Sequence, residues 1–469
     1  MSHTVEKVSG SSMSAFDAVL DNIILKPEPR ARYNRIFVVP AYQGITDALL
    51  ENHRTFEPGV YQYILSGGEE WESQLDSVIQ RLLLVNESVF ADPILRRKAD
   101  EFILERVSCT RQWIRHYLST RKPIDDASHQ YYWQPVRERL ASIGEAHSAY
   151  NTALKAKRHG VQTRFIDLAG PPNEPRESLD SQVWNRLEGV DLNCELPVVT
   201  AYASCERSDT CHDDRRYGDL TLSRIAALTE AKQAVIHQCS HLSSGDPDLI
   251  GTELVNPIGQ SSYQVANELS ALSHDLVHPD AIEELSQENI DLQVKCTFEP
   301  EHPGTVISHD HCSTEQKVDV VTGRDDVCVL KIILTEGNSD LADLKHQLFS
   351  LPNVNLLHHD ERRETLCYYF DCSVSNFGKI LTQAKKCLPN AELTVQRVAL
   401  LSVLGAKISG EQTLRLGCQA LEMQGILPDN IHYTEGDNSV KFAVASVQFR
   451  AALCALHDVF LNTTADRNH

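Results

Sequence analysis

Lys7-Val8-Ser9-Gly10-Ser11-Ser12 follows a short β-like stretch, Thr4 to Lys7, and leads into an apolar-periodic segment, Ala15, Phe16, Ala18, Val19, Leu20, Ile23 and Ile24. A strand, a small-residue turn and a helix make a phosphate-binding geometry, because free backbone N–H groups and the positive end of the helix dipole face the anion. Lys7 adds a full charge. By itself the turn reads better as a cap before a surface helix, since the Gly-Lys-Ser/Thr ending of the Walker pattern is absent. The neighbouring stretches decide between the two.

Arg35-Ile36-Phe37-Val38-Val39 is a continuous apolar run of the kind a buried parallel strand shows. It ends in Pro40-Ala41-Tyr42-Gln43-Gly44-Ile45-Thr46-Asp47, a second small-residue turn before a helix beginning near Ala48. Two strand, turn, helix units predict an α/β sheet whose ligands lie beyond the carboxyl ends of its strands. Further strands are expected at Thr163 to Leu168, Leu196 to Ala201, Ala234 to His237 and Leu292 to Lys295, with a helical pattern from Trp71 to about Arg158 that is amphipathic at Leu75 to Leu83 and again at Phe102 to Ile114.

The totals bound what such a sheet could serve. A length of 469 residues with 42% hydrophobic content implies two or three domains with substantial cores. Lys plus Arg number 44 against 65 Asp plus Glu, a formal charge of −21, which argues against nucleic acid or an anionic membrane as the main partner. An anionic substrate then needs locally concentrated positive groups. The 13 cysteines are odd in number, scattered and without a Cys-x-x-Cys pair, which suits reduced thiols in a cytoplasm. No apolar run near the N-terminus has the length of a secretion signal or membrane span, so a cytoplasmic protein is expected.

Three further stretches carry candidate chemistry. In Leu140 to Ala149 small residues crowd around one carboxylate, Glu145, and permit a helix to approach the active edge closely. Arg215-Arg216-Tyr217-Gly218-Asp219 enters a helix; two arginines and an aspartate around a glycine can bind a carboxylate or phosphate bidentately while presenting an acid to an amine, though taken alone the stretch reads as a charged surface loop. Leu242-Ser243-Ser244-Gly245-Asp246-Pro247 is a turn, followed by a helix from about Val265 to Leu276. His309, His311 and Cys312, and likewise Cys205, Cys211, His212, Cys239 and His241, lack zinc-like spacing, so no metal-ligating residue is assigned.

After a polar linker, 308–326, the grammar changes. Strand and helix signals follow the order βαββαβ over 327–397, and a second pass runs from the strand Val398 to Leu404 to the helix Gln448 to Phe460. Two such ferredoxin-like units are an internal structural repeat, suited to small-molecule binding or dimerisation.

An N-terminal α/β part, 1–307, followed by ferredoxin-like units at 327–397 and 398–465 resembles the aspartokinases, members of the amino acid kinase superfamily with C-terminal ACT domains. The likeness is greatest to aspartokinases associated with ectoine synthesis. It is carried by Ser12 to Asn22, Tyr33 to Val39, Gly144 to Ala149, Ser223 to Thr229 and Thr297 to His302. The resemblance implies an αβα sandwich followed by two βαββαβ ACT domains. It also implies ATP-dependent phosphorylation of the L-aspartate side-chain carboxylate to 4-phospho-L-aspartate, with Mg2+ brought by ATP, a homodimer built through the ACT domains, and an amino-acid effector.

Carried over residue by residue, the resemblance makes Lys7 the phosphate-contacting lysine and Gly10, Ser11 and Ser12 the glycine-rich turn. Thr46 becomes a substrate contact, Glu145 the acid for the aspartate amino group, Arg215 the clamp on its α-carboxylate and Asp219 a second acid. Asp246, Lys295 and Thr297 fall on the nucleotide side. Departures from the family pattern are Ser9 and Ser11 in the turn, Pro40 for a serine, Arg216 for a glycine, Gly218 for a serine, Asp248 for a basic residue and Cys296 for an asparagine. Two readings follow: an aspartate kinase with a modified site, or a catalytically impaired paralogue that binds amino acid or nucleotide.

Overall fold

The computed structural model describes residues 2–52, 55, 57–120, 129–170, 177–203, 217–272, 277–309, 311, 316–334, 341–349, 351, 354–361, 365–372, 374–433 and 438–462. The chain forms two compact units, Met1–His241 with Asp280–Val306, and Leu242–Pro279 with Ile307–His469.

In the first unit the strands Thr163–Ile166, Leu196–Thr200, Arg35–Val39, Thr4–Val8, Gln233–Gln238 and Asp291–Cys296 lie side by side in that order, all parallel. Arg35–Val39 and Leu196–Thr200 are buried at every position, as their unbroken apolar runs require. From Thr4–Val8 the chain first moves to one neighbour, Arg35–Val39, and later returns to the other, Gln233–Gln238. Strand order therefore reverses at Thr4–Val8, and a crevice opens beyond its carboxyl end.

Side chains alternate across a strand, so Glu6 and Lys7 leave Thr4–Val8 on opposite faces. Glu6 takes a two-pronged bond from Arg35, Nε to Oε1 at 2.7 Å and an Nη to Oε2 at 2.6 Å, and its Oε2 is 2.9 Å from Nε2 of His237. Burial pushes the Glu6 carboxyl up, but the Arg35 guanidinium and its hydrogen bonds outweigh this and hold it well below the usual range. Three neighbouring strands are tied by that group.

The helices Glu70–Val89 and Pro93–Thr120 follow the expected amphipathic pattern, whereas His129–Arg158 is buried on every face from 138 to 149. The segment after the serine turn departs from a single helix: a 3-10 turn at Ser12–Ala15, one α turn at Phe16–Val19 and a π turn at Leu20–Leu25. Apolar spacing records only which side chains are buried: the α and π turns bury Phe16, Val19, Leu20, Ile23 and Ile24, and the 3-10 turn buries Met13.

The second unit holds one six-stranded sheet, in the order Val354–Glu361, Thr365–Cys372, Val320–Ile333, Glu392–Leu404, Ser439–Val444 and Asn430–His432. The first pass runs βαββαβ, and its closing strand continues unbroken as the opening strand of the second, Glu392–Leu404; the second pass ends on the helix Phe449–His457, with no sixth strand among the described residues, and both passes share this sheet. Their first strands pair antiparallel from Glu392 opposite Ile333 to Leu404 opposite Val320. The helices Leu341–Phe349 and Val374–Cys387 close one apolar core, around Leu330, Tyr368 and Phe370. Those at Gly410–Met423 and Phe449–His457 close another, around Leu401, Phe442 and Leu456.

Two boundaries differ from expectation. Residues 320–326, expected in a linker, are the start of the central strand Val320–Ile333. Their polarity marks a β-bulge: Val398 to Leu400 pairs with Val327 to Arg324, one residue more on that side, and Asp326 takes a left-handed φ of 63°. Arg397 pairs with Asp326, and Arg324 pairs with Asp371 at 3.0 Å. Residues 242–279, expected in the first domain, belong to the second unit. There Val321 N–H bonds the Ser244 carbonyl at 2.9 Å, Ile250 packs with Val321 and Leu453, and the buried Lys441 pairs with Glu268 at 2.6 Å.

His147, in the long helix His129–Arg158, is fully buried, and its Nε2 donates to Asn86 Oδ1 at 2.6 Å. Burial pushes the imidazole down to about 3. With its folded pKa below the unfolded value of about 6.5, the unfolded chain takes up the proton first, so the stability contributed is complete above about pH 6.5 and is lost as pH falls toward 3. The slope is at most about 1.4 kcal/mol per pH unit for one proton. His147→Gln is expected to flatten the loss of urea stability between pH 6.5 and 4 relative to the parent; parallel curves would refute a buried neutral histidine.

Candidate active site

Lys7 points to the helix Tyr217–Leu228, where its Nζ meets Asp219 Oδ1 at 2.6 Å. Both residues are buried, 8% and 3% exposed, and the ammonium is held by a partner 212 positions away. Gly218 makes the approach possible: a Cβ there would lie 3.0 Å from Lys7 Cε and 2.9 Å from Ala201 Cβ. The helix is anchored beside it by Thr221, whose hydroxyl donates to the Ala201 carbonyl at 2.6 Å. Farther along, Arg224 is clamped between Asp180 and Glu284.

Directly after Lys7, the serine turn is knitted together by its own side chains. Ser9 N–H donates to the His237 carbonyl at 2.8 Å, which carries the chain across to the neighbouring strand. Ser9 Oγ lies 3.0 Å from Ser11 Oγ and 2.9 Å from Ser12 Oγ, and Ser12 N–H donates to it at 3.3 Å. Ser12 is fully buried and accepts from the Thr297 hydroxyl at 3.0 Å. Thr297 in turn is fixed by its N–H to the Gln238 carbonyl at 2.7 Å and by Asn22, which donates to the Thr297 carbonyl at 3.0 Å. Ser11 and Gly10 are the more open members of the turn.

The second turn, Pro40 to Ile45, lies against the long helix His129–Arg158. A Cβ at Gly144 would lie 2.8 Å from Ala41 Cβ and 2.9 Å from Ile45 Cγ2, and Ser148 Oγ donates to the Pro40 carbonyl. Glu145, buried at 8% exposure, follows that glycine directly. Thr46 is half-buried in the first turn of the short helix Ile45–Leu49, whose cap is Gly44 in the left-handed region at φ 77°.

Lys7, Ser9 to Ser12 and Thr297 are thus brought together at the carboxyl ends of three adjacent strands, with Asp219 held to Lys7. Lys295 is half-buried on the strand Asp291–Cys296, opposite His237 in register. Asp246 is exposed and belongs to the second unit, where its carboxylate caps the helix Pro247–Ile250 by accepting from Asp248 N–H at 2.8 Å. Arg215 and Arg216 lie outside the described residues, as do Cys205, Cys211, His212 and Cys312.

The Glu6, Arg35, His237 cluster behind the site was missed by sequence reasoning. A signal existed: charged residues inside strands otherwise buried need partners. A second group beyond sequence reasoning is His241, Cys296 and Glu299, whose ligand atoms gather within 4.8 Å.

Residues 3–296 match the family model for the amino acid kinase family. The chain is 35% identical over 460 residues to the aspartate kinase Ask_Ect of Stutzerimonas stutzeri (strain A1501), covering 97% of this chain and 96% of that relative. Among solved structures it is similar in fold to E. coli aspartokinase III in complex with aspartate and ADP (R-state), with a TM-score of 0.73 at 15% identity over 97% of this chain and 99% of that one. It is also similar to Clostridium acetobutylicum aspartate kinase, with a TM-score of 0.68 at 19% identity over 97% and 100% of the two chains. With its parallel-sheet unit matched by the family model and nearly its whole length aligned to one relative, the chain belongs to the amino acid kinase family, within it to the aspartokinases.

Proposed function

We propose that this protein transfers the γ-phosphoryl group of ATP to the side-chain carboxylate of L-aspartate, giving 4-phospho-L-aspartate and ADP. The observation that carries this is the buried Lys7 ammonium, held 2.6 Å from Asp219 directly before the serine turn. A carboxylate is already a nucleophile, so one of its oxygens attacks phosphorus as the bridging P–O bond to ADP breaks, and no strong general base is needed. Positioning and charge neutralisation supply most of the rate.

In this reading Lys7 neutralises charge on the transferring group and Gly10 and Ser11, the open members of the turn, offer donors to phosphate, while the buried Ser12, engaged with Ser9 and Thr297, braces the turn from behind. Thr46 and Glu145 contact aspartate, Glu145 through the amino group, and Arg215 clamps the α-carboxylate with Asp219 as a second acid. Lys295 serves the nucleotide, and Thr297, fully buried, supports the turn through Ser12. Mg2+ bound to ATP would add neutralisation of phosphate charge; it prefers oxygen ligands, which the phosphates, water and the serine hydroxyls can provide without a dedicated protein cage.

No helix among the described residues is long and apolar enough to cross a membrane, and a cytoplasmic reaction fits this. The paired ACT repeats are proposed to bind an amino-acid effector and to build a homodimer. The product is an activated acid suited to reduction, the entry to aspartate-derived amino acids and to ectoine.

ADP release that depends on L-aspartate tests the function, and Lys7→Ala is expected to lower kcat by about 10²-fold or more. Arg215→Ala should raise the aspartate KM with nucleotide binding unchanged. ATP binding without any aspartate-dependent ADP would sink the proposal. Gly218→Ala probes the passage of Lys7: a displacement on the order of 1 Å is expected to cost about tenfold or more in kcat, and a fully active variant would show that this passage is not needed.

A further inference from the structure

The strands Gln233–Gln238 and Asp291–Cys296 end side by side, with Gln238 and Cys296 in register. Just beyond them the fold collects three different metal-ligating groups. One ligand atom from each of His241, Cys296 and Glu299 lies within 4.8 Å of the other two. His241 Nε2 is 3.2 Å from Glu299 Oε2. The Cys296 thiol is buried and donates to the Cys239 carbonyl at 3.5 Å. The His302 ring stands 4.1 Å from that of His241, centroid to centroid, and its Nδ1 accepts from the Gly304 N–H at 3.0 Å.

We propose that His241, Cys296 and Glu299 form a binding site for a borderline-soft divalent cation of the Zn2+ class, with a fourth position open to water or a phosphate oxygen. A thiolate, an imidazole and a carboxylate together suit Zn2+, whereas Mg2+ takes oxygen ligands alone, so this site is distinct from the cation that accompanies ATP. Tetrahedral bonds of about 2.0–2.3 Å space ligands roughly 3.3–3.8 Å apart. The present spacing closes to that by side-chain movement of about 1 Å, which Glu299, 64% exposed along its side chain, is able to make. Binding replaces the Cys296 thiol proton, so affinity falls at low pH.

The position gives the site a use. Cys296 is followed by Thr297, whose hydroxyl and N–H hold Ser12 and Gln238 at 3.0 and 2.7 Å. A cation on Cys296 stiffens the support of the serine turn. Cation binding itself stands independently of the phosphoryl-transfer reading, because its test uses no substrate.

Titration of the reduced, full-length protein with Co2+ as a spectroscopic stand-in tests the assignment. The expected result is one equivalent bound with the strong visible bands of a tetrahedral ion and a near-ultraviolet thiolate-to-cobalt charge-transfer band. Cys296→Ser should lose the charge-transfer band. Glu299→Gln, a surface change that leaves folding intact, should weaken Zn2+ binding by about tenfold or more in competition with a chromophoric chelator. Thermal unfolding of the metal-free variants, compared with the parent, excludes misfolding as the cause. A charge-transfer band that persists in Cys296→Ser, Zn2+ affinity unchanged by Glu299→Gln, or displacement of Zn2+ by excess Mg2+ would each overturn the site.

Discussion

An ammonium group kept from water must be paired, and the architecture of the first unit follows from where Lys7 finds its partner. Asp219 reaches it from a helix that begins more than two hundred residues later. Removing one member of a buried pair typically costs about 3–5 kcal/mol, so the strand and the helix are held in one arrangement. The opposite face of the same strand carries a second such group, Glu6 with Arg35 and His237. A strand tied on both faces by ionic contacts has little freedom to shift, and the turn that follows inherits its position. That rigidity suits phosphoryl transfer, in which a fixed cation must already stand where charge accumulates.

The two repeats of the second unit show a different economy. Each has a helical layer and an apolar core of its own, yet both cores rest on one continuous sheet whose middle is the long ladder between Val320–Ile333 and Glu392–Leu404. The excursion 242–279 adds backbone and ionic contacts to that sheet through Ser244 and Glu268. The compact units are therefore discontinuous in sequence.

Much of the first unit was legible because buried parallel strands announce themselves. Ile36 to Val39 and Pro197 to Val199 have no polar face to confuse the pattern. The crowding of small residues around Gly144 likewise pointed to close contact, and the space at that glycine is filled by Ala41 and Ile45. What the residues could not disclose was partnership over long separations, such as the pairing of Asp219 with Lys7. The charges at Arg324, Asp325 and Asp326 read as linker because a bulge breaks alternation and admits polar side chains, as a loop does. His241, Cys296 and Glu299 carry no recognisable spacing, since adjacent strand ends, rather than one local loop, bring them together.

The bulge-containing central ladder also determines how the second unit can be divided. Cutting the chain between the repeats, at 397/398, would strip Val320 to Val327 of their neighbour, Val398 to Leu404, and leave a row of open backbone donors and acceptors, the kind of exposed border that recruits other chains. Only about three strands would remain on the severed half, with apolar side chains such as Val327 and Val329 on a face no longer covered by Leu400. The duplicated halves are accordingly inseparable as soluble pieces, and whatever distorts one half must be felt as a bend in the other.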